Sequence, residues 1–320
     1  MYNEVDNVLL MYEELTQAML LQSRQYEIVI VDDGSLDGTV DRLKEIAKKD
    51  NRVKLVLLRR NFGQTAAMQA GIEYASGEYL VTIDGDLQND PADIPMMLDH
   101  LDEGYDLIHG WRRDRKDKLI SRKIPSRVAN WLISKVTGFP INDLGCTLKA
   151  MRAEVANELE LYGEMHRFIP ILAHKIGAKS REVVTHHRAR QHGTTKYGIG
   201  RTFRVVFDLI TIKFMLSYFA SPMKLFGKLG GLVGLAGFIS LFAAGMMKVF
   251  GAVDLTGNPL LLMGVLSIIL SAQFFSLGVI GEVCARIYYS HPTNSNFHVR
   301  KLVNLEPQKD SNQTQPRQVA

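Results

Sequence analysis

Two stretches without a single formal charge, Leu229 to Met247 and Asn258 to Gly281, constrain this chain more than any motif in it. Each offers the roughly 20 apolar residues that a helix needs to cross a bilayer core. A pair of such helices in sequence reads as a hairpin. The connecting stretch Gly251 to Gly257 carries only Asp254, whereas Lys213, Lys224 and Lys228 precede the first stretch and Arg286, Arg300 and Lys301 follow the second. Basic flanks stay on the cytoplasmic side, so both termini are expected in the cytoplasm. Gly227, Gly230, Gly231, Gly234 and Gly237 place small residues three and four apart in the first span, which lets a second helix approach closely and is compatible with a homo-oligomer through the transmembrane region. Gln273 reads as an interhelical hydrogen bond in the second span.

The rest of the 320 residues is dense in charge and long enough for a full core, so the overall 46% apolar content averages a soluble domain with a membrane domain. The expected divisions are a catalytic domain over 1–198, juxtamembrane interfacial helices over 199–223, two transmembrane helices within 224–289 (about 227–250 and 258–282), and a largely disordered tail over 290–320. Phe203, Val206, Phe207, Ile210 and Phe214 recur at helical spacing beside Arg201, Arg204 and Lys213, the pattern of a helix lying in the interface, with a core helix of the soluble domain as the alternative. Cys146 and Cys284 lie far apart with no metal-ligand spacing, which fits a reducing compartment and excludes a disulfide framework. The basic excess sits in Arg112 to Arg127 and Arg181 to Arg204. It reads as attraction to phosphate and anionic lipid, and nucleic acid is not expected as a partner.

Within the soluble part, Tyr26 to Val31, Val53 to Leu58 and Tyr79 to Ile83 are short apolar runs separated by amphipathic helical stretches. That alternation predicts an α/β fold with a mostly parallel sheet covered on both faces. Ligands of such sheets bind beyond the carboxyl ends of the strands, and there the sequence becomes acidic. Asp32-Asp33-Gly34-Ser35 follows the first run and Asp84-Gly85-Asp86-Leu87-Gln88 follows the third. Turn and cap chemistry accounts for Gly34 and Ser35 but not for two adjacent acids ending a buried strand. Asp84 and Asp86, two apart, would share one side of an extended strand end, where hard oxygen ligands suit Mg²⁺ or Mn²⁺ with a diphosphate completing the shell. His186 and His187, at the end of a further strand, read as structural or as supports for neighbouring site residues.

Taken in order, Tyr2-Asn3-Glu4, Asp32 to Thr39, Asn61-Phe62-Gly63-Gln64, Asp84 to Gln88 and Arg190 to Tyr197 resemble family 2 glycosyltransferases of the GT-A fold, over about residues 1–200. With two spans added, the chain resembles bacterial polyisoprenyl-phosphate glycosyltransferases of the bactoprenol glucosyltransferase type, relatives of dolichyl-phosphate mannose synthase. The resemblance implies a Rossmann-like GT-A catalytic domain followed by an interfacial region and a transmembrane hairpin. It implies inverting transfer of one hexose, glucose from UDP-glucose, to undecaprenyl phosphate at the cytoplasmic face of the inner membrane. The alternative is another family 2 membrane enzyme with a different nucleotide-sugar or a non-lipid acceptor.

By the same resemblance, Tyr2, Glu4 and Asp33 hold the nucleoside. Asp84, Asp86 and Gln88 match the metal and sugar-diphosphate motif, with Asp86 the direct ligand. Arg112, Arg122 and Ser126 fall near the acceptor phosphate, Arg190 and Lys196 close over the donor diphosphate, and Asp143 faces the sugar. Independently, Arg122 and Ser126 would share a helix face at i, i+4, and arginine forks match phosphate oxygens. A polysaccharide synthase would need a longer membrane region and a Gln-x-x-Arg-Trp motif, and neither Trp111 nor Trp131 sits in one. Relatives carry an apolar strand ahead of Tyr-Asn-Glu where this sequence has Met1, so the natural chain is expected to be longer.

Overall fold

The computed structural model describes residues 1–20, 22–113, 134, 139–159, 161, 163–188, 214, 218, 221–251, 254–290 and 297–305. Arg122, Ser126, Arg190, Lys196 and nearly all of the expected interfacial region lie outside these residues. The chain divides into two compact units, Met1–Thr202 with Ser295–Ala320, and Phe203–Asn294.

In the first unit, strand β1 (Ile28–Asp32), helix α2 (Thr39–Lys49) and β2 (Val53–Leu58) form a parallel crossover preceded by α1 (Val8–Leu20). Alternation within β2 explains its burial on both faces. Val53, Leu55 and Leu57 pack with Leu43 and Ile46 of α2, while Val56 and Leu58 pack with Ala66 and Ala70 of α3 (Gln64–Tyr74). Then follow β3 (Tyr79–Thr82), α4 (Ile94–Asp102), β4 (Leu107–Trp111), β5 (Lys149–Arg152), α5 (Ala153–Glu158), α6 (Ile169–Lys175) and β6 (Ser180–Val184). The same alternation sorts Leu107 and Met151 into one core with α5 and α6, and Ile108 and Ala150 into another with α4.

The sheet is mixed rather than mostly parallel. Its strands pair in two groups, β1-β2-β7 and β3-β5-β4-β6, where β7 is Val299–Val303. β1 with β2 and β4 with β6 are parallel, whereas β5 runs antiparallel to both β3 and β4, and β7 runs antiparallel to β2. β5 returns after a long excursion and slots between two strands already made, which apolar periodicity cannot foretell because it carries no strand direction. Within the expected tail, Val299–Val303 form strand β7. Residues beyond the hairpin come back to this unit, and Asn304 Nδ2 donates to Ala47 O (2.8 Å) and Val53 O (2.9 Å).

The second unit holds α7 (Pro222–Gly251) and α8 (Pro259–Ser290), each long and apolar enough to cross a membrane. Their mutual face is made of small residues, as the glycine spacing implies. A Cβ on Gly237 would lie 2.9 Å from Ser267 Cβ, and one on Gly264 would lie 2.6 Å from Leu241 side-chain carbons. Ser271 Oγ donates to Gly230 O at 2.7 Å. Gln273, expected in that role, is exposed. Phe238, Phe242, Phe250, Leu262, Val279 and Ile280 are all more than half exposed, a surface suited to lipid and not to water.

Candidate active site

Of the residues singled out from sequence, Tyr2, Glu4 and Asp33 lie at the carboxyl end of β1, and Asp84, Asp86 and Gln88 follow β3. The chain start is stitched to the loop after β1: Asn3 N donates to Ser35 Oγ (2.9 Å), Glu4 N to Thr39 Oγ1 (3.0 Å) and Asp33 N to Met1 O (2.8 Å). Tyr2 and Glu4 are thereby held beside Asp33. Asp33 is buried and accepts from Phe62 N (2.7 Å) and Gly63 N (2.9 Å), ahead of α3. Burial raises its carboxyl, and those two bonds work against the rise. Its oxygens therefore carry the connection to the third motif, a role that sequence did not reveal. Asp32 Oδ2 accepts from Gly34 N and Ser35 N, while its buried Oδ1 has no hydrogen-bond partner among the described residues. An unsatisfied carboxylate oxygen this well buried is costly unless a ligand donates to it. Gly34 has φ 76°, and a Cβ there would lie 2.5 Å from Arg60 C, so only glycine fits this turn.

Gln64 joins the third motif to the acidic one, its Nε2 donating to Asp84 Oδ1 at 2.8 Å. Sequence quoted Gln64 within a motif but gave it no task. Asp84 is pushed up by burial and by the Asp86 charge, with a Thr147 hydrogen bond and the Lys149 and Arg112 charges opposing. Asp86 is buried, and its Oδ1 accepts from Gln88 N at 3.1 Å. Between them and Gln88, buried Leu87 sits at φ 60°, a conformation that non-glycine residues adopt at a cost and that clusters at functional sites.

Lys149 is fully buried on β5, paired in register with Thr82 and His109, and its Nζ donates to Cys146 O. Burial lowers its pKa, while Cys146 and Asp84 raise it. Its signal in the sequence is a lone lysine in the apolar run Leu148 to Met151. Among the described residues no three His, Cys, Asp or Glu side chains converge as a metal site. The protein offers Asp84 and Asp86, a like-charged pair of hard oxygen donors, the first half-buried and the second buried. That set fits Mg²⁺ or Mn²⁺ when a diphosphate provides further oxygens, and a cation there would relieve the repulsion that raises Asp84.

Arg112 and Asp143, expected at the acceptor phosphate and the sugar, face each other. Arg112 Nε lies 2.7 Å from Asp143 Oδ2, Nη2 lies 3.0 Å from Oδ1, and Arg112 N donates to Oδ2 at 3.2 Å. Burial of the guanidinium works against its charge, but Asp143 outweighs it and the pKa ends above the ordinary value. Glu182 on β6 holds the loop from below, accepting from Asn142 N (3.1 Å), Asn142 Nδ2 (2.6 Å) and Asp143 N (3.0 Å). His109 is neutral, lowered to about 4 by burial and the Lys149 charge.

The stem of the Arg190 to Tyr197 motif reaches the same place. His187 bridges Asn89, Arg188 N donates to Gln88 O (2.8 Å), and the Arg188 guanidinium pairs with Glu14 and Asp90. His186 Nδ1 lies 2.7 Å from Asp93 Oδ1, a contact that raises the imidazole pKa. Arg190 and Lys196 themselves fall outside the described residues, as do Arg122 and Ser126.

The glycosyl transferase family 2 model matches residues 1–160, the span carrying all four motifs just connected. The chain is 42% identical over 311 residues to dodecaprenyl-phosphate galacturonate synthase of Rhizobium johnstonii, covering 96% of this chain and 92% of that protein. It is 34% identical over 314 residues to undecaprenyl-phosphate 4-deoxy-4-formamido-L-arabinose transferase of Yersinia pestis, covering 98% and 94%. Among solved structures, glucosyl-3-phosphoglycerate synthase from Mycobacterium tuberculosis, in complex with Mn²⁺, UDP and phosphoglyceric acid, is similar. It aligns with a TM-score of 0.51 and 18% identity over 67% of this chain and 75% of that one, a likeness of fold.

Proposed function

Because this chain belongs to glycosyl transferase family 2, we propose that it moves one sugar from a UDP-sugar to a polyprenyl phosphate at the inner membrane, with its catalytic domain in the cytoplasm. The Gln64–Asp84 bond is the observation that carries most weight. It closes a chain of contacts from Tyr2 and Glu4 through Asp33 to Asp84 and Asp86, so nucleoside and diphosphate groups have adjoining places. Glucose, expected from resemblance, appears in neither relative's name. The more similar one is named for galacturonate, which makes a hexuronic acid the donor sugar to test first, ahead of a modified pentose.

In the proposed reaction an acceptor phosphate oxygen attacks the anomeric carbon as the nucleoside diphosphate leaves, inverting configuration. A phosphate monoester is largely anionic near neutral pH, its second pKa being about 6, and needs no obligatory base. The Asp143 carboxylate, held on both oxygens by Arg112, suits positioning better than proton transfer. Asp84 and Asp86 would hold a divalent cation, which when bound supplies charge stabilisation for the leaving diphosphate. Arg190 and Lys196 are assigned to the same diphosphate, and Arg122 with Ser126 to the acceptor phosphate.

The return of β7 to the first unit supports two crossings with both flanks on one side, since an odd number would separate β7 from β2 by a bilayer. The purified protein, given undecaprenyl phosphate and a panel of UDP-sugars, should yield a glycosylated lipid by mass spectrometry, with UDP-galacturonate turned over faster than UDP-glucose. Product formed only on a soluble acceptor would refute the assignment.

A further inference from the structure

Thr82 of β3 stands opposite Lys149 of β5, and carrying that antiparallel register two residues further sets Thr147 opposite Asp84. Thr147 is buried there and bonded through both backbone and side chain. Its carbonyl accepts from Thr82 Oγ1 at 2.8 Å, and its own Oγ1 accepts from Asn89 Nδ2 at 2.9 Å. Cys146 Sγ donates to Asn89 Oδ1 at 3.8 Å, which fixes the way that amide faces. The single proton of the Thr147 hydroxyl is left for Asp84, whose carboxylate it reaches. Asn89, Thr147 and Asp84 thus form a relay in which each bond polarises the next.

The Asp84 carboxylate is held from two sides. Gln64 Nε2 donates to its Oδ1 from α3, which follows directly on the Asp33 contacts, and Thr147 donates from the loop that carries Asp143. That loop has anchors of its own. Gly145 N donates to Asp143 Oδ1 at 3.1 Å, Gly110 N donates to Leu148 O at 3.0 Å, and a Cβ on Gly145 would lie 3.1 Å from Arg112 Nη2. A buried hydroxyl costs free energy unless it is bonded, and valine would fill nearly the same volume without that demand. Packing alone does not call for threonine here.

We propose that Thr147 is a positioning residue for the donor: its hydroxyl sets the Asp84 carboxylate in the orientation that meets a divalent cation, and ties that carboxylate to the loop bearing Asp143. This role rests on Asp84 and Asp86 holding the cation, as the proposed function has it. Without the hydroxyl, Asp84 keeps only the Gln64 bond and turns about it, so its orientation must be fixed at the moment of binding. Removing an outer partner of this kind typically costs about 10–100-fold in metal affinity. Asp143 keeps its bonds to Arg112 and Glu182, so the loss falls on cation and diphosphate rather than on the fold.

The test is the Mn²⁺ affinity of the full chain in detergent with UDP present, by titration calorimetry, for wild type, Thr147→Val, Thr147→Ala, Thr147→Ser and Thr82→Val. Val and Ala both remove the hydroxyl, one at nearly constant volume and the other with room to spare. Ser keeps it, and Thr82→Val removes a bond to the same segment without touching it. Thr147→Val and Thr147→Ala should weaken Mn²⁺ binding about 10-fold or more and raise the Mn²⁺ concentration for half-maximal turnover in step, while Thr147→Ser stays within about threefold of wild type. Thr82→Val should lower Tm and leave Mn²⁺ affinity alone. Unchanged affinity in a folded Val or Ala variant would overturn the proposal, as would loss of folding in both. Equal weakening by Thr82→Val would overturn it too, by making Thr147 a structural tie only. Wild type that binds no Mn²⁺ with UDP would sink the cation site itself, which separates failure of that reading from failure of this one.

Discussion

Asp86 and Asp143 are both buried acids at one site, yet their surroundings call for opposite responses to neutralisation. Asp86 stands beside another acid, so Asp86→Asn relieves repulsion and should leave Tm unchanged or slightly raised. It should also weaken metal-dependent UDP binding and cut turnover about 100-fold or more, because the charge leaving on the diphosphate goes uncompensated. Asp143 is the counter-ion of a buried arginine, so Asp143→Asn leaves Arg112 half paired. Tm should fall by several degrees and turnover should drop while UDP affinity stays within about threefold. Calorimetry for binding, unfolding scans and a lipid-product assay on both variants separate the two. Recovery of Asp143→Asn activity as pH rises would make Asp143 a general base after all. The acidic residues themselves were legible, because a strand end that turns acidic is a local signal. Their partners were not, because Phe62 and Gly63 lie about 30 residues from Asp33, and Asp143 lies 31 from Arg112. Only the folded sheet brings such residues together.

At the scale of elements, the helices of the hairpin were the easiest to foresee, since length and absence of charge are counted directly. Their seam was legible too, from small residues three and four apart, but which residue bonds across it was not. Replacing Gly237 by Leu should disrupt the pair, because the added side chain meets Ser267 and the Gly264 carbonyl within 3.1 Å of its first carbon. Overpacking of this kind costs about 1–3 kcal/mol, to be read as a lowered detergent-denaturation midpoint, while Gly231→Leu, with nothing near its position, should behave as wild type. Strand polarity was the weakest inference. The runs leading into β1, β2 and β3 announce strands through apolar content, but Lys149 to Arg152 of β5 is short and ends in charge at both sides, and its direction depends on where residues 112–148 bring it back.

The whole molecule departs furthest from its sequence at β7. Val299 to Val303 reads as a few apolar residues around Arg300 and Lys301 in a polar tail, too short to register, and its partner β2 lies some 240 residues earlier. A chain ending after residue 296 should lose the β2 edge ladder and the Asn304 bonds to Ala47 and Val53. The catalytic unit should then unfold about 2–4 kcal/mol more easily, by denaturant titration followed at Trp111. Asn304→Ala should reproduce about 1–2 kcal/mol of that. An unchanged midpoint in the shortened chain would show β7 to be an ornament. The position of β7 also imposes an order on biosynthesis. A ribosome makes β2 early and β7 near the end, with both long apolar helices in between. The enzyme cannot finish its sheet until the hairpin has left the ribosome and β7 has come back to the side where β2 waits. On the proposed topology, completion of the sheet thus becomes a record of successful insertion. A chain whose hairpin is misplaced is left with an unpaired β2 edge for chaperones and proteases to find.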